Sequence, residues 1–262
     1  MRKILSFVLI LFVFIGCEQK PNSGVESQKP DVEDQESEID TGIGVENGHE
    51  YIDLGLSVKW ATCNVGAETP EDYGDYFAWA ETQSKSKYNW DSYKYQKTGK
   101  YGSSFLLKYC TSEPNDGYQW GYNDFSDGKS VLERADDAAY VNWKGKWRMP
   151  TPEEFQELIN FCAWEKTIQN RVVGYKVTSI VDGYTERSIF LPAAGEIWTN
   201  LEGTKTEHED RTIIGKYWSN ELEFDHCIYA YYLYFSVNAT DIDIDIDSNS
   251  RCTGFSIRPV CP

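Results

Sequence analysis

Positive charge is scarce in this chain: 25 lysines and arginines face 42 aspartates and glutamates, a net charge of −17 over 262 residues. That balance argues against nucleic acid as a partner, because phosphate binding needs a clustered basic surface that releases counterions. Histidine is rarer still, present only as His49, His208 and His226, and neither a Gly-x-Ser-x-Gly elbow nor a Cys-x-x-Cys pair occurs. Serine-hydrolase chemistry and a zinc site of the usual spacing therefore have no support, and no cysteine stands in a His-paired context. Carboxylates are too numerous for any two of them to point to glycoside hydrolysis, which depends on a defined separation. The expectation is a protein without an enzymatic activity. Long apolar runs are missing except for one at the N-terminus, which argues against a multi-pass membrane protein.

That one run shows where the chain is bound. Met1, Arg2 and Lys3 precede twelve residues from Ile4 to Ile15 interrupted only by Ser6. This length suits a signal-peptide core and falls short of a bilayer of roughly 30 Å. The run ends Phe14-Ile15-Gly16-Cys17, which resembles a bacterial lipoprotein processing site. Residues 1–16 are thus expected to be a signal peptide, and Cys17 the acylated residue that ties the chain to a membrane. An ordinary signal peptide with an incidental cysteine is the alternative. Glu18 rather than Asp follows Cys17, which favours the outer membrane, with the chain surface-exposed or periplasm-facing. In residues 17–48 nine acids face two bases and no aromatic occurs. Such a segment buries too little apolar area to offset its chain entropy, so it should be a disordered acidic linker.

Residues 49–262 differ abruptly. They hold all 9 tryptophans, and their composition supplies ample material for a packed core. From Glu68 to Gly128 the chain is rich in Gly, Asn, Asp, Ser and Tyr, which predicts loops and short strands. Ser130 and Glu133 fit a capping box ahead of Val131, Leu132, Ala135, Ala138 and Ala139, which predicts a helix over 131–141. Thr151, Pro152 and Glu154 open a second, whose Phe155, Leu158, Ile159 and Cys162 share one face. Strand signals then dominate at 172–181, 188–191, 228–237, 240–247 and 254–260. An α+β domain follows, two helices on mostly antiparallel strands with long loops.

A family resemblance rests on six segments: Asp53-Leu54-Gly55-Leu56-Ser57-Val58-Lys59-Trp60-Ala61, Gly74-Asp75-Tyr76-Phe77-Ala78-Trp79-Ala80-Glu81, Trp147-Arg148-Met149-Pro150-Thr151, Phe190-Leu191-Pro192-Ala193-Ala194-Gly195, Tyr217-Trp218-Ser219 and Gly254-Phe255-Ser256-Ile257-Arg258-Pro259-Val260. Together they resemble the Fibrobacter-type major paralogous domain, common in cell-surface lipoproteins of Bacteroides-like bacteria. That family is similar to the C-terminal domain of a Legionella collagen-like adhesin. The resemblance covers 49–262 and implies a C-type-lectin-like fold. Ala80 departs from the pattern, where Gly is more usual, and so does Asn220, where Ser is usual. In this fold group a disulfide commonly ties a helix to the closing strand, which the resemblance would assign to Cys162 with Cys261.

Several residues could carry binding. Glu113-Pro114-Asn115 matches the tripeptide with which sugar-binding C-type lectins hold Ca²⁺, although here it precedes both helices. An ordinary polar turn is the reading the residue types favour, since Pro, Asn and Asp-Gly are turn residues in their own right. Asp241, Asp243, Asp245 and Asp247 alternate with isoleucines, which puts the carboxylates on one face of a strand. Asp243 and Asp245 could share a Ca²⁺, or the run could be a solvated edge strand guarded by its charge. Asp136 and Asp137 fall within the first expected helix. No cofactor is demanded, and Ca²⁺ is the one ion these motifs suggest. Six further cysteines, Cys63, Cys110, Cys162, Cys227, Cys252 and Cys261, admit fifteen connectivities if all pair, or some are buried thiols. Trp120, Trp143, Trp198 and the tyrosines of 229–232 could stack on sugar rings. The expected function is non-covalent recognition of a glycan, a host matrix component or another protein by an envelope-anchored domain. The alternative is a structural part of a surface complex that binds protein and no sugar.

Overall fold

Asn47 and Gly48 both take positive φ, +46° and +85°, as the tight primed turn of a hairpin requires. They join β1 (Ile43–Glu46) to β2 (His49–Ile52), with Glu46 opposite His49. The computed structural model describes residues 41–98, 104–110, 127–200, 202, 206–223, 226–238 and 243–262. The fold therefore includes Ile43 and does not begin at His49 as expected. Trp147 Nε1 donates to the Glu46 carbonyl at 2.7 Å and Asp53 N to that of Gly42 at 2.9 Å, which fixes the hairpin to the domain. The signal was the Asn-Gly pair, hidden at the end of an acid-rich stretch.

β3 (Lys59–Ala61) continues this sheet. Beyond it the described residues up to 128 hold little regular structure, as the composition predicts: a 3-10 turn at Trp90–Ser92 and a hairpin of β4 (Gln96–Thr98) with β5 (Ser104–Leu106). Buried aromatics replace the missing ladders, because their polar tips bond to backbone while their rings fill the core. Tyr88 Oη donates to the Tyr76 carbonyl at 2.6 Å, Tyr93 Oη to that of Trp79 at 2.8 Å, and Trp79 Nε1 to that of Ser219 at 2.9 Å.

The first helix starts later than expected. α1 covers Ala138–Trp143, and its N-cap is Asp137, whose carboxylate accepts from Tyr140 N at 3.0 Å. Upstream residues are engaged elsewhere: Val131 bridges to Glu221, Leu132 N donates to the Asn220 carbonyl, and Glu133 pairs with Lys108 and Lys129. Asp136 and Asp137 are consequently an anchor and a cap, not mid-helix residues. α2 (Pro152–Phe161) has the expected reciprocal capping box between Thr151 and Glu154, and Glu154 also accepts from Arg148 Nη1 at 2.8 Å.

After α2 the chain is nearly all antiparallel strand. β6 (Cys162–Gln169), β7 (Val172–Ser179) and β8 (Ser188–Pro192) form one sheet. β9 (Glu196–Thr199) pairs with β10 (Thr206–Glu209). β11 (Ile214–Leu222), β12 (Tyr229–Ser236) and β13 (Asp243–Ser250) form the next sheet. β14 (Val260–Cys261) then returns to β3. The class is α+β, with two α-helices among the described residues. None of those residues forms a helix long and apolar enough to cross a membrane.

The tryptophans of the six segments that carry the resemblance lie in the interior. Trp60, Trp79, Trp147 and Trp218 are all buried, and Trp218 stacks on Phe255 at 4.1 Å. Arg258 is fully enclosed, donating through Nε to Asn64 Oδ1 (2.8 Å), through Nη1 to the Ala61 and Thr62 carbonyls (3.1 and 2.9 Å), and through Nη2 to that of Phe190 (3.0 Å). A planar group with five donors in fixed directions can in this way join loops far apart in the chain.

Candidate functional site

Tyr88-Asn89-Trp90 lies against β9 because two bonds stitch them together: Thr199 N to the Tyr88 carbonyl at 2.7 Å, and Tyr88 N to Thr199 Oγ1 at 2.8 Å. Asn89 caps the turn that carries Trp90, accepting from Ser92 N at 3.1 Å. On its other side β9 is bridged to Gly254, with Ile197 N donating to the Gly254 carbonyl at 2.9 Å. Gly254 is needed here, since a Cβ would come within 2.7 Å of the Tyr88 ring. These three segments enclose a cleft of about 440 Å³ whose lining includes Trp90, Trp198, Asn89, Glu196, Asn249 and Thr253.

Its polar groups are held in place. The Glu196 carboxylate pairs with Lys216 Nζ at 2.9 Å, and that ammonium lies over the rings of Phe255 and Tyr232, 5.4 and 5.9 Å from their centroids. Tyr232 Oη donates to Asp247 Oδ2 at 3.0 Å. Burial first, and the Asp247 charge second, push the Tyr232 hydroxyl well above the usual tyrosine range, so it stays a neutral donor. Burial likewise pushes the Cys252 thiol up to about 11, which leaves it protonated and unreactive at neutral pH. The cleft thus offers two half-buried indoles, amide and hydroxyl groups, and one carboxylate already committed to a lysine. Flat apolar faces beside fixed donors and acceptors suit the binding of a ring that carries hydroxyls.

Of the expected platforms, Trp198 lines the cleft. Trp143 does not: it is 6% exposed, stacked on His49 at 3.8 Å and set edge-on to Trp147 at 5.1 Å, so it is core. Trp120, Glu113, Asn115 and Cys17 lie outside the described residues. Trp90 was not anticipated, because its partner in the cleft is 108 residues away and nothing local marks it as half-exposed. Tyr232 is buried, whereas Tyr229 and Tyr231 are half-buried.

β13 alternates as expected. Asp243, Asp245 and Asp247 are exposed on one face, and Ile244 and Ile246 pack against the core that contains α2. The strand is the edge of its sheet, where charge hinders pairing with other chains. Tyr234 Oη donates to Asp243 Oδ2 at 3.4 Å, and the Asp245 carboxylate accepts from Ile246 N at 2.8 Å. Among the described residues no group of three or more His, Cys, Asp or Glu side chains could hold a metal ion.

The pairing of Cys162 with Cys261 is not made. Both are free thiols, and they belong to different core clusters, Cys162 beside Trp164 and Leu158, Cys261 beside Trp147 and Met149. Burial raises the first thiol to about 12 and the second to about 11. Compared with family models, curated proteins and solved structures, the chain matches none.

Proposed function

We propose that this protein is a recognition module of the cell envelope, tethered by a lipid on Cys17 and an acidic stalk and C-type-lectin-like in fold, which binds a glycan without covalent chemistry. The observation that carries this reading is the joining of Trp90 and Trp198 in one cleft with Asn89, Asn249 and Glu196. Each indole offers a hydrophobic face to the C–H groups of a pyranose, and each amide offers both a donor and an acceptor to its hydroxyls.

A glycan array run with Ca²⁺ and again with chelator tests it. Binding to one sugar class is expected, falling at least about tenfold in both Trp90→Ala and Trp198→Ala, a loss that matches one or two kcal/mol per stacked ring. Loss of binding with chelator would bring Glu113, Asn115 or the β13 aspartates back as Ca²⁺ ligands. A folded protein that binds no glycan in either condition overturns the reading. The second reading, a surface-assembly component with a protein partner, is favoured by the edge strand β1, where Ile43 and Val45 are 56% and 63% exposed. Crosslinking on intact cells would then recover the partner.

A further inference from the structure

Arg211 sits in the turn between β10 and β11, and both its neighbours have left-handed backbone, Asp210 at φ +57° and Thr212 at φ +71°. Neither is glycine, and Thr is β-branched, so the conformation is strained by roughly 1–3 kcal/mol per residue and persists only because surrounding bonds enforce it. Thr212 N donates to the Ala193 carbonyl at 2.9 Å, and Ile214 N to that of Asp210 at 2.9 Å. Strain of this kind concentrates where a side chain must be aimed.

The side chain is aimed with some care. Its guanidinium lies over the rings of Tyr73 and Tyr76, 5.1 Å from each centroid, and Nε donates to Tyr76 Oη at 2.9 Å. Tyr76 Oη in turn donates to the Ala194 carbonyl, so its lone pair is fixed toward Arg211. Among the described residues Nη1 and Nη2 have no hydrogen-bond partner, and no carboxylate lies within ion-pair distance. Arg148 and Arg187, by contrast, pair with Glu154 and Asp53. In a domain whose charge is −12, a half-buried arginine without a carboxylate is conspicuous. It borders a cavity of about 320 Å³, also lined by Ser84, Ser86, Lys85 and Asp75. The Lys85 charge is already matched by Glu81 at 2.8 Å.

We infer that this cavity is a binding site for a small carboxylate, taken end-on by the Nη1–Nη2 fork of Arg211 with the Ser84 hydroxyl beside it. A planar fork matches a carboxylate with two parallel hydrogen bonds. Asp75 in the same lining opposes a second negative charge, so a monoanion is preferred to phosphate. The volume lies at the small end of ligand sites, roughly 300–1,000 Å³, which suits one sugar acid or a short organic acid. The site shares Tyr88 with the Trp90–Trp198 cleft, but its ligand is taken through Arg211, so it does not depend on the glycan reading.

Calorimetric titration of the full-length protein with glucuronate, lactate, glucose and inorganic phosphate tests the inference. Saturable binding of glucuronate or lactate is expected, with glucose silent and phosphate weaker. Binding of both acids assigns the carboxylate alone as the determinant, whereas glucuronate alone assigns a sugar acid. Arg211→Gln and Arg211→Lys should each weaken binding at least about tenfold, because lysine keeps the charge and loses the fork. The inference fails if no carboxylate binds to folded protein, if phosphate binds more tightly than either acid, or if Arg211→Gln binds as the parent does.

Discussion

Arg258 and Arg211 take the same group into opposite surroundings. Arg258 is sealed in the interior and every guanidinium nitrogen meets an oxygen of the chain, as also happens at Arg251, which reaches the Tyr109, Cys227 and Lys108 carbonyls and Tyr93 Oη. Arg211 gives one nitrogen to Tyr76 and borders a cavity. The comparison separates two uses of a cation in an acidic domain. Inside, where sheets are short and loops long, arginine replaces missing backbone ladders. At the loop edge the same donors are left for something from outside.

The largest effect should come from breaking the closed half. Arg258→Met removes five donors and strands Asn64 Oδ1 and three carbonyls in a dry interior, a loss of at least about 4 kcal/mol when each of the four unmatched acceptors costs about 1–3 kcal/mol. Arg211→Met, at a half-exposed position, should stay within about 1 kcal/mol of the parent. Urea unfolding of the two variants measures both. Equal losses would mean that Arg211 is a structural strut and would dissolve the distinction.

A smaller effect concerns Asp136. Burial opposes its ionisation, yet hydrogen bonds from Lys108 (2.6 Å), Tyr95, Tyr109 (2.8 Å) and Lys94 (3.1 Å) outweigh it and hold the carboxyl well below the usual aspartate range. A folded-state pKa below the unfolded value gives stability that is complete above about pH 4 and drains away as pH falls through the folded value. Its neighbour Asp137 behaves oppositely: burial raises its pKa, so its contribution is greatest below about pH 4 and declines as pH rises. Asp136→Asn should therefore cost about 2 kcal/mol at pH 7 and show a shallower loss from pH 5 to pH 2 than the parent. Parallel pH profiles would remove Asp136 as the acid-sensitive anchor.

Local chemistry made α2 readable, because Thr151, Pro152 and Glu154 need only each other, and the Asp–Ile alternation of β13 needs only the pleat. Ser130 and Glu133 present the same pattern as a capping box and form none, since Lys108 and Lys129 from outside the segment claim the glutamate. No periodicity distinguishes Trp143 from Trp198. One finds His49 and Trp147 waiting across a hairpin, the other meets a cleft built by residues from three separate segments. Arg211 was invisible for the same reason, its aim set by Tyr76 at a separation of 135 residues.

The smallest effect tests the closed half at its one strained alanine. Ala80 is buried at φ +66°, a region where an L residue is disfavoured by about 1–2 kcal/mol relative to glycine. Ala80→Gly relieves the strain, loses a buried methyl worth about 0.8 kcal/mol, and adds freedom to the unfolded chain, so the terms nearly cancel. Ala139→Gly, equally buried but in α1, loses the methyl and about 1 kcal/mol of helix propensity with nothing returned, a cost of about 2 kcal/mol. Chemical denaturation of the pair should show Ala80→Gly within about 0.5 kcal/mol of the parent and Ala139→Gly clearly below it. If both fall equally, the left-handed turn at Ala80 carries no strain.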